Sequence, residues 1–311
     1  MQQDKSEFCS MKRFLKVVWG IFALIGILTT ASLLYLRFAK YYISIHALSE
    51  RQYEDFVQLL RTSGKLEKDT VAFEMKIVQD SVRANEIREY FRLDTLFDAQ
   101  ADTWTKALAI GRFVASNIPH DNQKIQPEHR NAIDLWEYTR NVAPAFNCRL
   151  HSILTFELLL AAGLEARFVT CLPEDKDDPD CHVVNEIWLP ELGKWAMMDS
   201  DMKHYVCALD GSPLSLQEIR EHYVSGEYMV VYNLLKDAPE MNPDYSSYMA
   251  KNTYWFTCAA SLSYYQEDPE NRKRDAGRHI NLVPPGFESF IEDDANVYTS
   301  NADIFWAAPM K

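Results

Sequence analysis

Val17 to Leu36 (VVWGIFALIGILTTASLLYL) is a run of twenty residues without a charge, and it restricts the chain more than any other feature. Wound as a helix, a run of that length crosses the hydrocarbon core of a bilayer, about 30 Å thick. Lys12, Arg13 and Lys16 flank it on one side, Arg37 and Lys40 on the other. The basic excess before the run predicts that residues 1–16 stay in the cytoplasm while the rest is exported. A cleaved signal peptide is the competing reading, but its apolar region usually spans about 7–15 residues and ends in a small-residue cleavage site. Here the run ends Leu-Leu-Tyr-Leu-Arg. The expectation is therefore an uncleaved single-pass anchor over 17–36 in a cell membrane, with the body outside the cytoplasm.

Charge separates the two parts further. Residues 1–40 hold six basic and two acidic side chains, +4, while the whole chain is −13, so the remainder is −17. An acidic body argues against a nucleic-acid partner, because such binding rests on basic contacts to phosphate. Gly is scarce, 10 in 311 residues, and no glycine-rich phosphate loop is present.

Beyond the anchor, residues 37–100 are expected to be a helical stalk or cap, since Tyr53–Leu60 and Val71–Val78 carry apolar residues at helical spacing. An amphipathic helix follows Asp102 as N-cap, and a short one covers Ala132–Asn141. Asn147 and Gly163 bracket a third, from Cys148 onward, apolar nearly all round between Ile153 and Ala162 and so expected at the centre of the core. Ala166–Leu172, His182–Leu189 and Lys194–Asp199 read as three strands in succession, an antiparallel meander packed on the Cys148 helix. Ser215–Glu221 reads as helix. Aromatic runs at 254–258, 279–283 and 304–306 read as strands completing the sheet.

That placement gives Cys148 a chemistry. The thiolate is the attacking form of cysteine, and the first turn of a helix offers partial positive charge and unpaired N–H groups that favour an anion. His182 opens the second strand and Asp199 ends the third. In an antiparallel hairpin turning at 190–193 these two positions come together. An aspartate on one imidazole nitrogen leaves the other free to take the thiol proton. His151, three residues after Cys148, is a rival base with no acid evident to orient it. His204 and His222 read as surface residues.

With those residues in place, NCRLHSILTFELLLAAGLEARFVTC followed by HVVNEIWLPELGKWAMMDSD resembles the core of transglutaminase-like proteins, of a bacterial membrane-anchored type. The likeness is carried by Cys148, Gly163, Leu164, Ala166, Arg167, His182, Glu186, Trp188, Trp195 and Asp199, and covers about 140–205. Two positions depart from it: Asn147 stands where a Gly usually precedes the Cys, and Asp199 is followed by Ser200 rather than Pro. The resemblance implies an α+β, papain-like fold over 101–311 and a Cys148–His182–Asp199 triad acting on amide bonds, by hydrolysis or by acyl transfer. It implies a peptide or protein substrate and no cofactor. In this family an upstream Trp or Gln often completes the oxyanion site, which makes Trp104, Gln123 and Trp136 the candidates. The alternative is an inactive domain of the same fold that binds peptide or cell-wall material.

In an exported body, Cys171 and Cys181 are candidate disulfide partners, as are Cys207 and Cys258; either pairing leaves Cys148 free. The acidic run 174–180 has calcium-ligand types but not the EF-hand spacing, and reads as a solvated loop. No zinc spacing is evident, so no metal is expected.

Overall fold

The computed structural model describes residues 3–63, 66, 71, 73–122, 126–269, 271, 279–287 and 296–309. It divides into two units, Met1–Gln52 and Tyr53–Lys311. The first consists of the greater part of helix α1 (Gln3–Thr62). Leu15–Arg37 within it is long and apolar enough to cross a membrane. Its large side chains are exposed, Trp19 and Tyr35 among them.

The second unit is an α+β domain. In chain order after α1 come β1 (Lys76–Ile77), α2 (Ser81–Phe91), α3 (Thr103–Asn117), α4 (Ala132–Asn141) and α5 (Cys148–Ala161). Then follow β2 (Ala166–Leu172), β3 (His182–Leu189), β4 (Lys194–Asp199), β5 (His204–Ala208), α6 (Leu216–Ser225), β6 (Met229–Asn233) and β7 (Ala238–Pro239). The remainder supplies α7 (Pro243–Asn252), β8 (Trp255–Ala259), β9 (Ser261–Leu262), β10 (His279–Leu282), β11 (Val297–Thr299) and α8 (Ala302–Phe305). Nine strands form one sheet in the order β11-β10-β8-β2-β3-β4-β5-β6-β7. The expected meander, β2 to β4, is its centre, antiparallel throughout, and β5 extends it in the same sense.

Helix α5 lies on that centre. Its composition explains both its place and its ends. Leu150, Ile153, Leu154, Phe156, Leu158, Leu159 and Leu160 are all at most 1% exposed. Each such side chain is worth about 1.5–3 kcal/mol when buried, and from Leu150 to Ala161 no face of the helix is available to solvent, while Cys148 and Arg149 in the first turn stay partly exposed. Asn147 caps the start by accepting from Leu150 N at 3.1 Å. At the far end Leu164 N donates to Leu159 O and Gly163 N to Leu160 O, with Gly163 at φ +79°. This is the paired closure that a left-handed residue after the helix permits. Two further bonds rivet α5 to β3: Ser152 Oγ donates to Val183 O at 2.8 Å, and Asn185 Nδ2 donates to Ser152 O at 2.9 Å.

Beneath the sheet centre sits a buried ion pair. Arg167 on β2 donates twice to Glu186 on β3, at 3.0 and 2.6 Å, and once to Phe305 O at 2.8 Å. Its guanidinium lies 4.3 Å from the Trp195 ring centre and 4.7 Å from that of Trp306. Glu186 in turn accepts from Leu216 N at the start of α6. The pair therefore ties four segments together.

Three expectations are corrected. Of the segment 71–78 expected to be helical, Val71 and residues 73–78 are not: Lys76 and Ile77 form β1, parallel to β9. Ile304–Trp306 is not a strand, because Asn301 accepts from Asp303 N and starts the short helix α8. His204 is not at the surface; it is 6% exposed and stacks on Tyr245 at 4.3 Å.

Candidate active site

The helix start and the strand ends meet as the alternation of β3 and β4 demands. The β3–β4 ladder ends with Asn185 opposite Met198, and Asp199 is opposite His204 in the next ladder, β4 with β5. His182 Nε2 lies 2.6 Å from Asp199 Oδ2, with both side chains buried. The sulfur of Cys148, a ring nitrogen of His182 and a carboxylate oxygen of Asp201 all lie within 4.8 Å of one another. With Nε2 committed to Asp199, the nitrogen left for the thiol is Nδ1.

Asp199 uses both of its oxygens. Oδ1 accepts from Asp201 N at 3.1 Å and Met202 N at 2.9 Å, which shapes the turn into β5. Lys203 closes that turn at φ +67°. Next to it, Thr155 Oγ1 and Ser200 Oγ are 2.9 Å apart, which holds the turn to α5.

Electrostatics follow the geometry. Burial opposes a charge on His182, but the Asp199 carboxylate and the Cys148 sulfur outweigh it and hold the imidazole pKa well above its ordinary value. Burial likewise opposes the Asp199 anion, yet the His182 charge and the turn amides keep its pKa low. Together the two groups form an ion pair when His182 takes a proton.

Asp201 is the member that the motif reading misses. It is 2% exposed, and burial, then the Asp199 charge, push its carboxyl up to about 6. His120 Nδ1 reaches both of its oxygens, at 2.8 and 2.9 Å, and His151 Nε2 lies 3.3 Å from Oδ1. His151 thus does face an acid. Burial pulls its pKa down to about 4, so it is neutral. His120 arrives from the segment before α4, where Phe146 N donates to Pro119 O and Asp121 N to Phe146 O.

A second unforeseen neighbour is Tyr248 on α7. Its ring meets the His182 ring edge-on at 5.3 Å. Its hydroxyl donates to Cys181 O at 3.3 Å, and Cys148 Sγ is 4.0 Å from the same carbonyl. Three residues on, Lys251 pairs with Asp178 at 2.9 Å and Asp180 at 2.8 Å. Part of the acidic loop is therefore tied to α7 rather than freely solvated. No sequence signal marks Tyr248, whereas Asp201 is visible in MMDSD once the turn after Asp199 is known.

Cys171 and Cys181 are both free thiols, contrary to the expected disulfide, and Cys207 and Cys258 are free as well. Register supplies the reason. Cys171 lies opposite His182, so Cys181 is one residue out of step, and neighbouring side chains on extended chain point to opposite faces. Burial raises all four thiols: Cys171 well up, Cys181 less, Cys207 to about 12 and Cys258 to about 11. Of the proposed oxyanion residues, Trp104 packs edge-on against Tyr205 and Trp136 stacks on Phe113 under Arg140. Gln123 lies outside the described residues.

Among the described residues two groups have the donor types and spacing for a metal. One is Cys148, His182 and Asp201; the other is His129, Asp134 and Asp268, of which the first two are exposed.

Residues 93–200 match the transglutaminase-like superfamily. No curated protein matches the chain. Among solved structures, a candidate cysteine protease from Cytophaga hutchinsonii is 16% identical with a TM-score of 0.31, over 50% of this chain and 51% of that one. A candidate protease from Parabacteroides distasonis is 15% identical with a TM-score of 0.27, over 51% of this chain and 29% of that one. The shared region thus spans about half of the first structure and under a third of the second.

Proposed function

We propose, from the premise that residues 93–200 are a transglutaminase-like domain, that this chain is a thiol enzyme acting on amide bonds of a peptide or protein outside the cytoplasm. The observation that carries the reading is the 2.6 Å contact of His182 with Asp199 beside a sulfur at the first turn of α5. His182 Nδ1 takes the Cys148 proton ahead of the reaction, and the thiolate then attacks the carbonyl carbon. Asp199 stabilises the imidazolium that results. Asn147 occupies Leu150 N, and its carbonyl accepts from His151 N. The amides of Cys148 and Arg149 stand ahead of these in the helix and are the donors available to an oxyanion. The imidazolium then protonates the departing amine, leaving an acyl-enzyme on sulfur. Water as the acceptor completes a hydrolysis; an amine as the acceptor completes an acyl transfer, and the same three residues serve both. Residues 17–36 anchor the chain, with the catalytic domain on the far side of the membrane.

Labelling the full-length protein in detergent with a thiol-directed electrophile tests the reading. Mass spectrometry of the peptides should find Cys148 modified first, and His182→Ala should abolish that preference. Uniform labelling of all cysteines, unaffected by His182→Ala, would instead favour an inactive domain that binds peptide or cell-wall material.

A further inference from the structure

Asp201 has no part in the proposed triad, yet its carboxylate is buried and has an oxygen within 4.8 Å of both the sulfur and an imidazole nitrogen. The geometry points to a zinc site made of Cys148, His182 and Asp201, which holds the enzyme in a reversible off state.

A thiolate, an imidazole and a carboxylate are the donor mixture that Zn²⁺ accepts, usually as three protein ligands with a fourth position open. The three donor atoms lie within 4.8 Å of one another. For three atoms so placed there is always a point within about 2.8 Å of all of them (that largest separation divided by √3). Zinc bonds of about 2.0–2.3 Å then require each side chain to close in by roughly half an ångström or a little more. Such a shift is within reach of χ rotations.

The outer partners are also in place, and they separate this group from a chance meeting of polar side chains. A metal-bound imidazole ordinarily gives its second nitrogen to a carboxylate. His182 already does so, with Nε2 on Asp199 at 2.6 Å, which turns Nδ1 to the metal. A metal-bound carboxylate is ordinarily hydrogen-bonded in turn. Asp201 has His120 at 2.8 Å and His151 at 3.3 Å. Charge balances as well. Binding releases the thiol proton to solvent as the Zn–S bond forms, and the thiolate and the Asp201 carboxylate together neutralise the 2+ ion. The ion occupies the sulfur lone pair and the Nδ1 lone pair that catalysis needs, so loaded protein cannot attack a carbonyl.

The test is a cobalt titration of the full-length protein in detergent. Co²⁺ serves as the probe because a cobalt–thiolate bond gives a charge-transfer absorption that needs no substrate. One equivalent should raise the band, Zn²⁺ should displace it, and a chelator should restore Cys148 alkylation. Cys148→Ser should remove the band, and Asp201→Asn should weaken cobalt binding at least about tenfold. Should Asp201→Asn fail to fold, His120→Ala, at a half-exposed side chain, gives the second reading: binding several-fold weaker with an unchanged unfolding midpoint. Equal affinity in wild type and Asp201→Asn would overturn the site, as would the absence of any cobalt–thiolate band. Because binding is read by absorbance, the site can fail while the triad stands, and amide chemistry can fail while the site stands.

Discussion

Replacing Asp199 by Asn tests how the triad is held, because the structure leaves the amide no satisfactory orientation. Oδ2 accepts from His182, and Oδ1 accepts from two turn amides, Asp201 N and Met202 N. An asparagine has one acceptor oxygen. If that oxygen stays on the turn, the amide N–H₂ faces His182 Nε2 and drives the imidazole proton to Nδ1, so the base is lost. If it faces His182, the N–H₂ confronts two donors and the turn opens. In either case the charge that steadies the imidazolium is gone. A hydrogen bond to a charged group contributes about 1.5–3 kcal/mol, which corresponds to roughly a 10- to 150-fold loss in the forward reaction. The assay is the second-order rate of Cys148 alkylation by iodoacetamide, followed by mass spectrometry across pH, with thermal unfolding measured alongside. Asp199→Asn alkylated within threefold of wild type at every pH would refute the argument.

Other consequences can be measured in the same preparation. Arg167→Ala strands a fully buried Glu186 carboxylate and should cost about 3–5 kcal/mol in urea unfolding, while Arg167→Met with Glu186→Leu should recover most of it. Glu157 is buried, and burial pushes its carboxyl up to about 7 from 4.5. Its contribution is therefore full below about pH 4.5 and is lost as pH rises through 7, a fall of about 3 kcal/mol that should be absent in Glu157→Gln. Tyr248→Ala uncovers the His182 ring; an aromatic pair worth about 0.5–1.5 kcal/mol predicts a roughly 2- to 10-fold lower alkylation rate, and Tyr248→Phe should retain most of the wild-type rate.

The central elements were legible because local signals and tertiary demands agree. Asp102, Asn131, Asn147 and Ser215 each accept from a backbone N–H and start a helix. The apolar strands β2, β3 and β4 sit in the middle of the sheet, where continuous hydrophobic runs belong. The nearness of His182 to Asp199 followed from the same facts, since a hairpin brings its two ends together. What escaped depends on distant partners. β1 pairs with β9, almost two hundred residues on, and Phe73, Met75 and Ile77 alternate with Glu74 and Lys76 at the period of a strand, a signal that the helical reading passed over. The aromatics at 304–306 have strand composition, but Asn301 winds them and Phe256 and Arg167 receive them. Asp201 depends on the shape of one turn, His120 on a bridge to Phe146, and Tyr248 on where α7 comes to rest. None of these last three is written in a period or a cap.

The ion pair of Arg167 and Glu186 has a consequence for where this domain can be cut. Arg167 binds the carbonyl of Phe305, Trp195 Nε1 donates to Ala307 O, and Glu157 receives Tyr265 N. β8 covers the edge of β2 at Thr170–Leu172. The stretch that matches the transglutaminase-like superfamily ends at residue 200, while many of the partners for its buried polar groups come from beyond residue 250. A fragment trimmed to the recognised stretch would carry Cys148, His182 and Asp199 and still present a raw sheet edge and a guanidinium stripped of the Phe305 carbonyl and the Trp306 ring. Proteolysis near the C-terminal strands should therefore silence a thiol more than a hundred residues away without touching it.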